Sequence, residues 1–179
     1  MASVLIPLAQ GCEELEAVTV IDLLRRAGLE VTTAGLDNEV VKASRGVSLV
    51  PDTDLTTALQ QDYDMIVLPG GLPGADHLEN DSRLRERIIK MAEKGKYVAA
   101  ICAAPKVLAS AGILKGKKVT CYPGVLEVLD IKSEGSAVVE DGNIITSRGP
   151  GTAMDFALTL IEKLVSKEKR DEVEKGLVR

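Results

Sequence analysis

The sequence predicts a doubly wound, three-layer α/β sandwich around a mostly parallel sheet, and three observations carry that reading. Strand-length runs such as residues 4–8, 65–68 and 97–101 are apolar without polar alternation, the pattern of strands buried on both faces. Segments of helical periodicity separate them, so successive strands are joined by crossovers of the kind a parallel sheet requires. The 179 residues fit one domain, 1–179, with no repeat, low-complexity tract or linker to divide it.

The elements follow in order. Residues 4–8 read as the first buried strand and 14–27 as a helix whose core face is Ala17, Val20, Ile21, Leu24 and Ala27. The next strand is 31–34, followed by a short hairpin excursion at 40–43 and 48–50. Residues 65–68 form a buried strand that stops at PGGLPG, 69–74, and 81–94 form an amphipathic helix. The strand 97–101 ends at Cys102, and 105–111 continue as helix with Pro105 in the first turn. Residues 119–121, 137–140 and 144–146 are strand-like. A Thr-x-x-Asp cap, Thr152 to Asp155, is expected to open a helix over 152–165, and the mixed charges of 167–175 suit a solvated terminal helix.

Composition removes several function classes. A net charge of −5 gives no basic footprint, and no Trp, one Phe and three Tyr supply no stacking platform, so no nucleic-acid partner is expected. The opening MASVLIPLAQG lacks a basic n-region and its apolar run is short, so neither a signal peptide nor a membrane helix is expected. Cys12, Cys102 and Cys121 form no CxxC and no zinc spacing, and with one histidine in the chain no metal is expected. An odd number of cysteines suits reduced thiols and a cytoplasmic location.

In doubly wound folds the ligand crevice lies at the carboxyl ends of the strands, which points to the loops 10–14, 69–74 and 102–105. Cys102 sits on a strand-to-helix turn whose small neighbours Ala99, Ala100, Ala103 and Ala104 permit a tight bend. A thiol there faces the crevice close to a helix N-terminus, an arrangement expected to favour thiolate. Glu16, one turn before Val20, lies on the flank of the apolar arc, where partial desolvation raises a carboxyl toward use as a proton donor or general base near pH 7. Glu13 and Glu14 suit a helix N-terminus, although helical geometry leaves Glu14 open as the inward-facing acid. The glycines of PGGLPG leave backbone N–H groups approachable, which suits an oxyanion hole, and an ordinary turn fits that stretch equally well. SRGPGT, 147–152, reads as a structural turn, with an anion site through Arg148 as the alternative. His77, in the polar DHLEND, reads as surface; pairing with Cys102 would need it to reach across from another loop. Leu15 and Val18 fall on the outer side of the first helix and are candidates for a subunit contact.

The blocks GCEELEAVTVIDLLRRAG, VLPGG, AAICAAP and ITSRGPGTAMDFAL, in this order and nearly end to end, resemble the ThiJ/PfpI superfamily. Within it they resemble the DJ-one branch, the parkinsonism-associated deglycase and its bacterial relatives. The resemblance implies a flavodoxin-like sandwich, a homodimer whose interface includes the first helix, and no cofactor. It places the nucleophilic, oxidation-prone cysteine at Cys102 and the protonated partner carboxyl at Glu16 rather than Glu14. It puts the oxyanion donors at Gly71 and Ala103, with Gly70 adjacent, and a pocket-edge arginine at Arg45.

The chain departs from the pattern twice. Ala103 follows the nucleophile where the protease-like branch has His, which disfavours peptidase activity. Tyr122 stands where many relatives carry a His, and a phenol with an ordinary pKa near 10 is a poor base. The resemblance implies glyoxalase or deglycase chemistry in stress protection: conversion of methylglyoxal or glyoxal to 2-hydroxy acids, or repair of early glycation adducts on proteins. The alternative, from another class, is a redox sensor or chaperone that works through a Cys102 sulfinate without turnover. Cys12 would serve such a device as a resolving thiol only if its Cβ were close and well directed.

Overall fold

The computed structural model describes residues Met1–Arg179. In chain order the elements are β1 (Ser3–Leu8), α1 (Glu14–Arg26), β2 (Glu30–Gly35), β3 (Val41–Lys42), β4 (Ser48–Leu49), β5 (Thr53–Asp54), α2 (Leu55–Ala58), β6 (Met65–Leu68), α3 (Gly74–Asn80), α4 (Ser82–Glu93), β7 (Tyr97–Ile101), α5 (Pro105–Ser110), β8 (Val138–Asp141), β9 (Ile144–Ser147), α6 (Ala153–Leu164) and α7 (Lys167–Gly176). Seven strands form one sheet in the order β5-β2-β1-β6-β7-β9-β8, parallel throughout except for β8, which runs antiparallel to β9. The short β3–β4 hairpin stands apart, as the sequence predicts.

Alternate residues of each central strand feed opposite cores. Val4, Ile6, Met65, Val67, Ala99 and Ile101 pack on the side of α1 and α6, whereas Leu5, Ile66, Leu68, Val98 and Ala100 pack on the side of α3, α4 and α5. The two cores hold 25 and 22 buried residues, so the sheet is covered almost equally on both faces. That double burial is why its strands read as unbroken apolar runs. From β1 the chain turns to β2 on one side and later returns to β6 on the other, so the carboxyl ends of β1 and β6 form the switch point where such sheets open a crevice.

Two sequence expectations are corrected here. Residues 119–121 are not a strand: the place beside β9 is taken by β8, and Thr120 instead donates its N–H to Thr146 Oγ1 and its hydroxyl to the Ser136 carbonyl. The expected Thr-x-x-Asp cap of α6 does not form, because Thr152 Oγ1 turns back to Ser147 Oγ at 2.7 Å and to the backbone of Gly149. Three small elements, β5, α2 and α3, lie in stretches that carry too little periodicity to be read. No helix is long and apolar enough to cross a membrane.

Candidate active site

The site is assembled from the loops that leave β1, β6 and β7, and their backbones interlock. Glu13 caps α1 with its own carboxylate, while its N–H donates to the Gly70 carbonyl at 2.9 Å. Gly71 has φ +89, and a Cβ there would lie 2.4 Å from the Glu13 nitrogen, so only glycine lets the two loops approach this closely. The neighbouring Gly70 is held open for a different reason. A Cβ at Gly70 would stand 2.7 Å from the Cys102 Cβ and 2.7 Å from Glu16 Oε2, which means that both side chains converge on the same point.

Cys102 follows β7 directly and adopts φ 63, a left-handed conformation that is strained for a non-glycine residue. Its amide donates to the Ser147 carbonyl at 3.0 Å, and its carbonyl accepts the Tyr122 N–H at 2.9 Å, so the strained turn is held from both flanks. Only 8% of Cys102 is exposed. Glu16 is fully buried at 0% exposure; its Oε2 accepts the Gly70 N–H at 2.8 Å, and its Oε1 has no hydrogen-bond partner. The choice that helical geometry leaves open is thereby resolved: Glu14 points the other way, accepting from Ser44 Oγ at 3.0 Å and from the Arg45 N–H at 2.8 Å.

Burial pushes the Glu16 carboxyl up to about 7, opposed by hydrogen bonding to the Cys102 side chain and the Gly70 N–H. Burial also pushes the Cys102 thiol up to about 12, reinforced by the charge and hydrogen bonding of Glu16, while the N–H groups of Ala103 and Gly71 act in the opposite direction. This corrects the expectation of a thiolate favoured by the following helix. α5 is only six residues long, and its field is outweighed by the loss of water around the sulfur. The two groups titrate as a coupled pair: the carboxyl ionises first, near neutral pH, while the thiol keeps its proton. Addition of the sulfur to a substrate therefore needs the thiol proton to pass to Glu16, which converges on the same point.

The structure thus brings together Cys102, Glu16, Gly70, Gly71 and Ala103. Tyr122 joins through its backbone; its side chain is 52% exposed, with the ring against Gly149. The Arg45 side chain is exposed and makes no ion pair within the chain. His77 is exposed on α3 and lines a separate cavity of about 300 Å³ with Leu8, Gln10 and Asn80. All three cysteines are free and buried, and burial, with the charges of Glu14 and Glu13, pushes Cys12 up to about 11. Sequence reasoning missed the support given by Ser147. It is fully buried, donates its hydroxyl to the Ala137 carbonyl at 2.7 Å, and fixes the strand end that holds the Cys102 amide. The block SRGPGT contains that signal but reads as a turn.

Comparison with known proteins follows the same outline. A family model described as the DJ-1/PfpI family matches residues 2–163. The crystal structure of Drosophila melanogaster DJ-1beta superposes with a TM-score of 0.95 at 46% identity, covering 99% of this chain and 97% of that one. Toxoplasma gondii DJ-1, in a structure described as oxidized, gives a TM-score of 0.95 at 40% identity over 99% of this chain and 98% of that one. The glutathione-independent glyoxalase DJR-1.2 of Caenorhabditis elegans is 37% identical over 182 residues, covering 98% of this chain and 95% of its own length.

Proposed function

Since the chain belongs to the DJ-1/PfpI family, we propose that it converts reactive dicarbonyls such as methylglyoxal and glyoxal to 2-hydroxy acids without glutathione, metal or organic cofactor. The observation that carries this reading is the buried pair: a carboxyl raised to about 7 converging with a cysteine on one glycine.

In the proposed cycle the Cys102 sulfur adds to the aldehyde carbon, and the former aldehyde oxygen is held by the N–H groups of Gly71 and Ala103. The Glu16 carboxylate takes the thiol proton as the sulfur adds and passes it to that oxygen. A carboxylate again, it takes the proton from the carbon, giving an enediol, and returns it to the neighbouring carbon as the hydroxyl proton of the first carbon moves to the oxygen of the second. The first carbon is thereby oxidised and the second reduced within one molecule, leaving a thioester on Cys102. Water hydrolyses the thioester to the 2-hydroxy acid and restores the thiol. The same steps applied to an early glycation adduct on a protein give the deglycase form of the reaction. A homodimer through α1 suits the exposure of Leu15 and Val18, at 51% and 45%, and a cytoplasmic setting suits three free thiols.

Lactate formed from methylglyoxal in the absence of glutathione tests the reading. Wild type is expected to turn over, Cys102→Ser to fall to background, and Glu16→Gln to lose about 10²–10⁴-fold in kcat, the usual span for a proton-transfer group. Turnover by Cys102→Ser near the wild-type rate would refute it.

A second reading, oxidation sensing through a Cys102 sulfinate, draws on the buried Oε1 of Glu16, which has no hydrogen-bond partner and whose carboxyl, once protonated, can donate to a sulfinate oxygen.

A further inference from the structure

The two N–H groups proposed as oxyanion donors belong to different loops, Gly71 next to the glycine that abuts the Cys102 Cβ and Ala103 next to Cys102 itself, and each loop runs into its own short helix. The Gly71 carbonyl accepts the N–H of Ala75 in α3 at 2.8 Å, and the Ala103 carbonyl accepts the N–H of Lys106 in α5 at 3.4 Å. Asp76 follows Ala75, and its carboxylate meets the Lys106 ammonium. Glu79, one turn further along α3, meets the same ammonium at 3.1 Å. The contacts close a ring behind the site: Gly71 to Ala75, through Asp76 to Lys106, and from Lys106 to Ala103. The lysine side chain is only 22% exposed, so it is held in place rather than free in solvent. Burial lowers its pKa, but the bonds to Asp76 and Glu79 more than reverse this and keep it above the ordinary lysine value.

Elsewhere the same two helices are joined by Arg85. It donates to the Glu79 carbonyl at 3.1 Å and to Ser110 Oγ at 3.4 Å, at the ends of α3 and α5 remote from Cys102. The lysine bridge acts at the near end of α5, in its first turn, where a small slide of one helix past the other separates the two N–H groups.

We infer that Lys106, with Asp76 and Glu79, is a positioning clamp that fixes the separation of the Gly71 and Ala103 N–H groups across the Cys102 sulfur. The inference rests on the reading of those N–H groups as donors to the sulfur and to the oxyanion formed next to it. Lys106 touches no reacting atom in this scheme; it acts through the two loops.

The test is the pH profile of Cys102 alkylation by iodoacetamide, read on the Cys102 peptide, together with kcat and KM for methylglyoxal. Glu16 is the ionisable side chain facing the sulfur and is left intact. Lys106→Met breaks the clamp by removing a positive charge, and the double variant Asp76→Asn/Glu79→Gln breaks it by removing two negative charges. A remote field effect would move the Cys102 profile in opposite directions in the two variants. Loss of positioning weakens the N–H bonds to thiolate in both, so both are expected to shift the profile to higher pH, by about half a unit or more. Both are expected to lower kcat about tenfold with KM within about twofold, since misplaced oxyanion donors cost transition-state rather than ground-state binding. Lys106→Arg is expected to recover most of the loss, and Arg85→Gln to match wild type. Opposite shifts, or no shift in either variant, would overturn the inference. A folding failure of Lys106→Met leaves the double variant to decide, since there a field effect and lost positioning differ in sign; should the double variant fail to fold, Asp76→Asn alone takes its place with the same expected upward shift. A wild type that turns over no methylglyoxal while both profiles still move upward would keep the clamp and discard the glyoxalase reading.

Discussion

Two loops rich in glycine and proline leave the sheet, PGGLPG after β6 and SRGPGT at the end of β9, yet they do different work. In the first, each glycine is demanded by a neighbour: Gly70 by Cys102 and Glu16, Gly71 by the Glu13 backbone, and Gly74 by the Cys12 backbone. In the second, Gly149 has an extended φ of 175, and the nearest atom to an added Cβ is in the Tyr122 ring at 3.5 Å, an ordinary contact. Gly151 has nothing within 4 Å. Its Thr152 bonds within the loop, to Ser147 and Gly149, while Ser147 reaches out to the Ala137 carbonyl and accepts the Cys102 N–H. Glycine content therefore does not mark a loop that approaches reacting atoms; what marks it is the contact that forbids a side chain.

The sharpest way to break that comparison is to make the same substitution in both loops. Gly70→Ala drives a methyl group into the Cys102 Cβ, Glu16 Oε2 and the Ile101 carbonyl, and is expected to cost about 10²–10³-fold in kcat by displacing the pair and its donors. Gly151→Ala, into open space, is expected to stay within about twofold of wild type. Steady-state kinetics on the two proteins, with circular dichroism to establish folding, checks both. Equal losses would mean that the loops are alike after all.

A second effect follows from the burial of Glu16. Its carboxyl is raised from 4.5 to about 7, so the folded state disfavours the ionised form. The protonated carboxyl is compatible with folding below about pH 4.5, and stability is lost as pH rises toward the folded-state value of about 7. The accumulated loss is on the order of 3 kcal/mol. Urea denaturation of wild type and Glu16→Gln at about pH 4.5 and pH 8 measures it, with the stability of wild type relative to the glutamine variant expected to fall by about that amount. A difference independent of pH would place Glu16 outside the buried pair.

Much of this arrangement is legible in the chain because it depends on local pattern. The apolar runs of β1, β6 and β7 give the parallel sheet, and the small residues around Cys102 give the tight turn. Glu16 is legible as a carboxyl on the flank of a core face, although helical period alone does not separate it from Glu14, which is turned away by Ser44 and Arg45 some thirty residues later. What the sequence conceals is set by distant partners. The protonation of Cys102 depends on burial by loops from β1 and β6, and opposes the expectation drawn from its own helix. The hydroxyl of Thr152 is claimed by Ser147, and residues 119–121 lose their place in the sheet to β8, which arrives later in the chain. The bridge from Lys106 to Asp76 and Glu79 likewise joins two short helices whose pairing no periodicity announces.

The central claim is that Cys102 and Glu16 act as one unit, the sulfur forming the bond to substrate and the carboxyl moving the proton. Intact mass of the protein during incubation with methylglyoxal, with lactate assayed in parallel, tests it most directly. The account expects Glu16→Gln to accumulate one methylglyoxal equivalent on Cys102 with little lactate, because addition proceeds and proton transfer does not. Lactate production by Glu16→Gln at the wild-type rate, with no adduct on Cys102 in either protein, would contradict it.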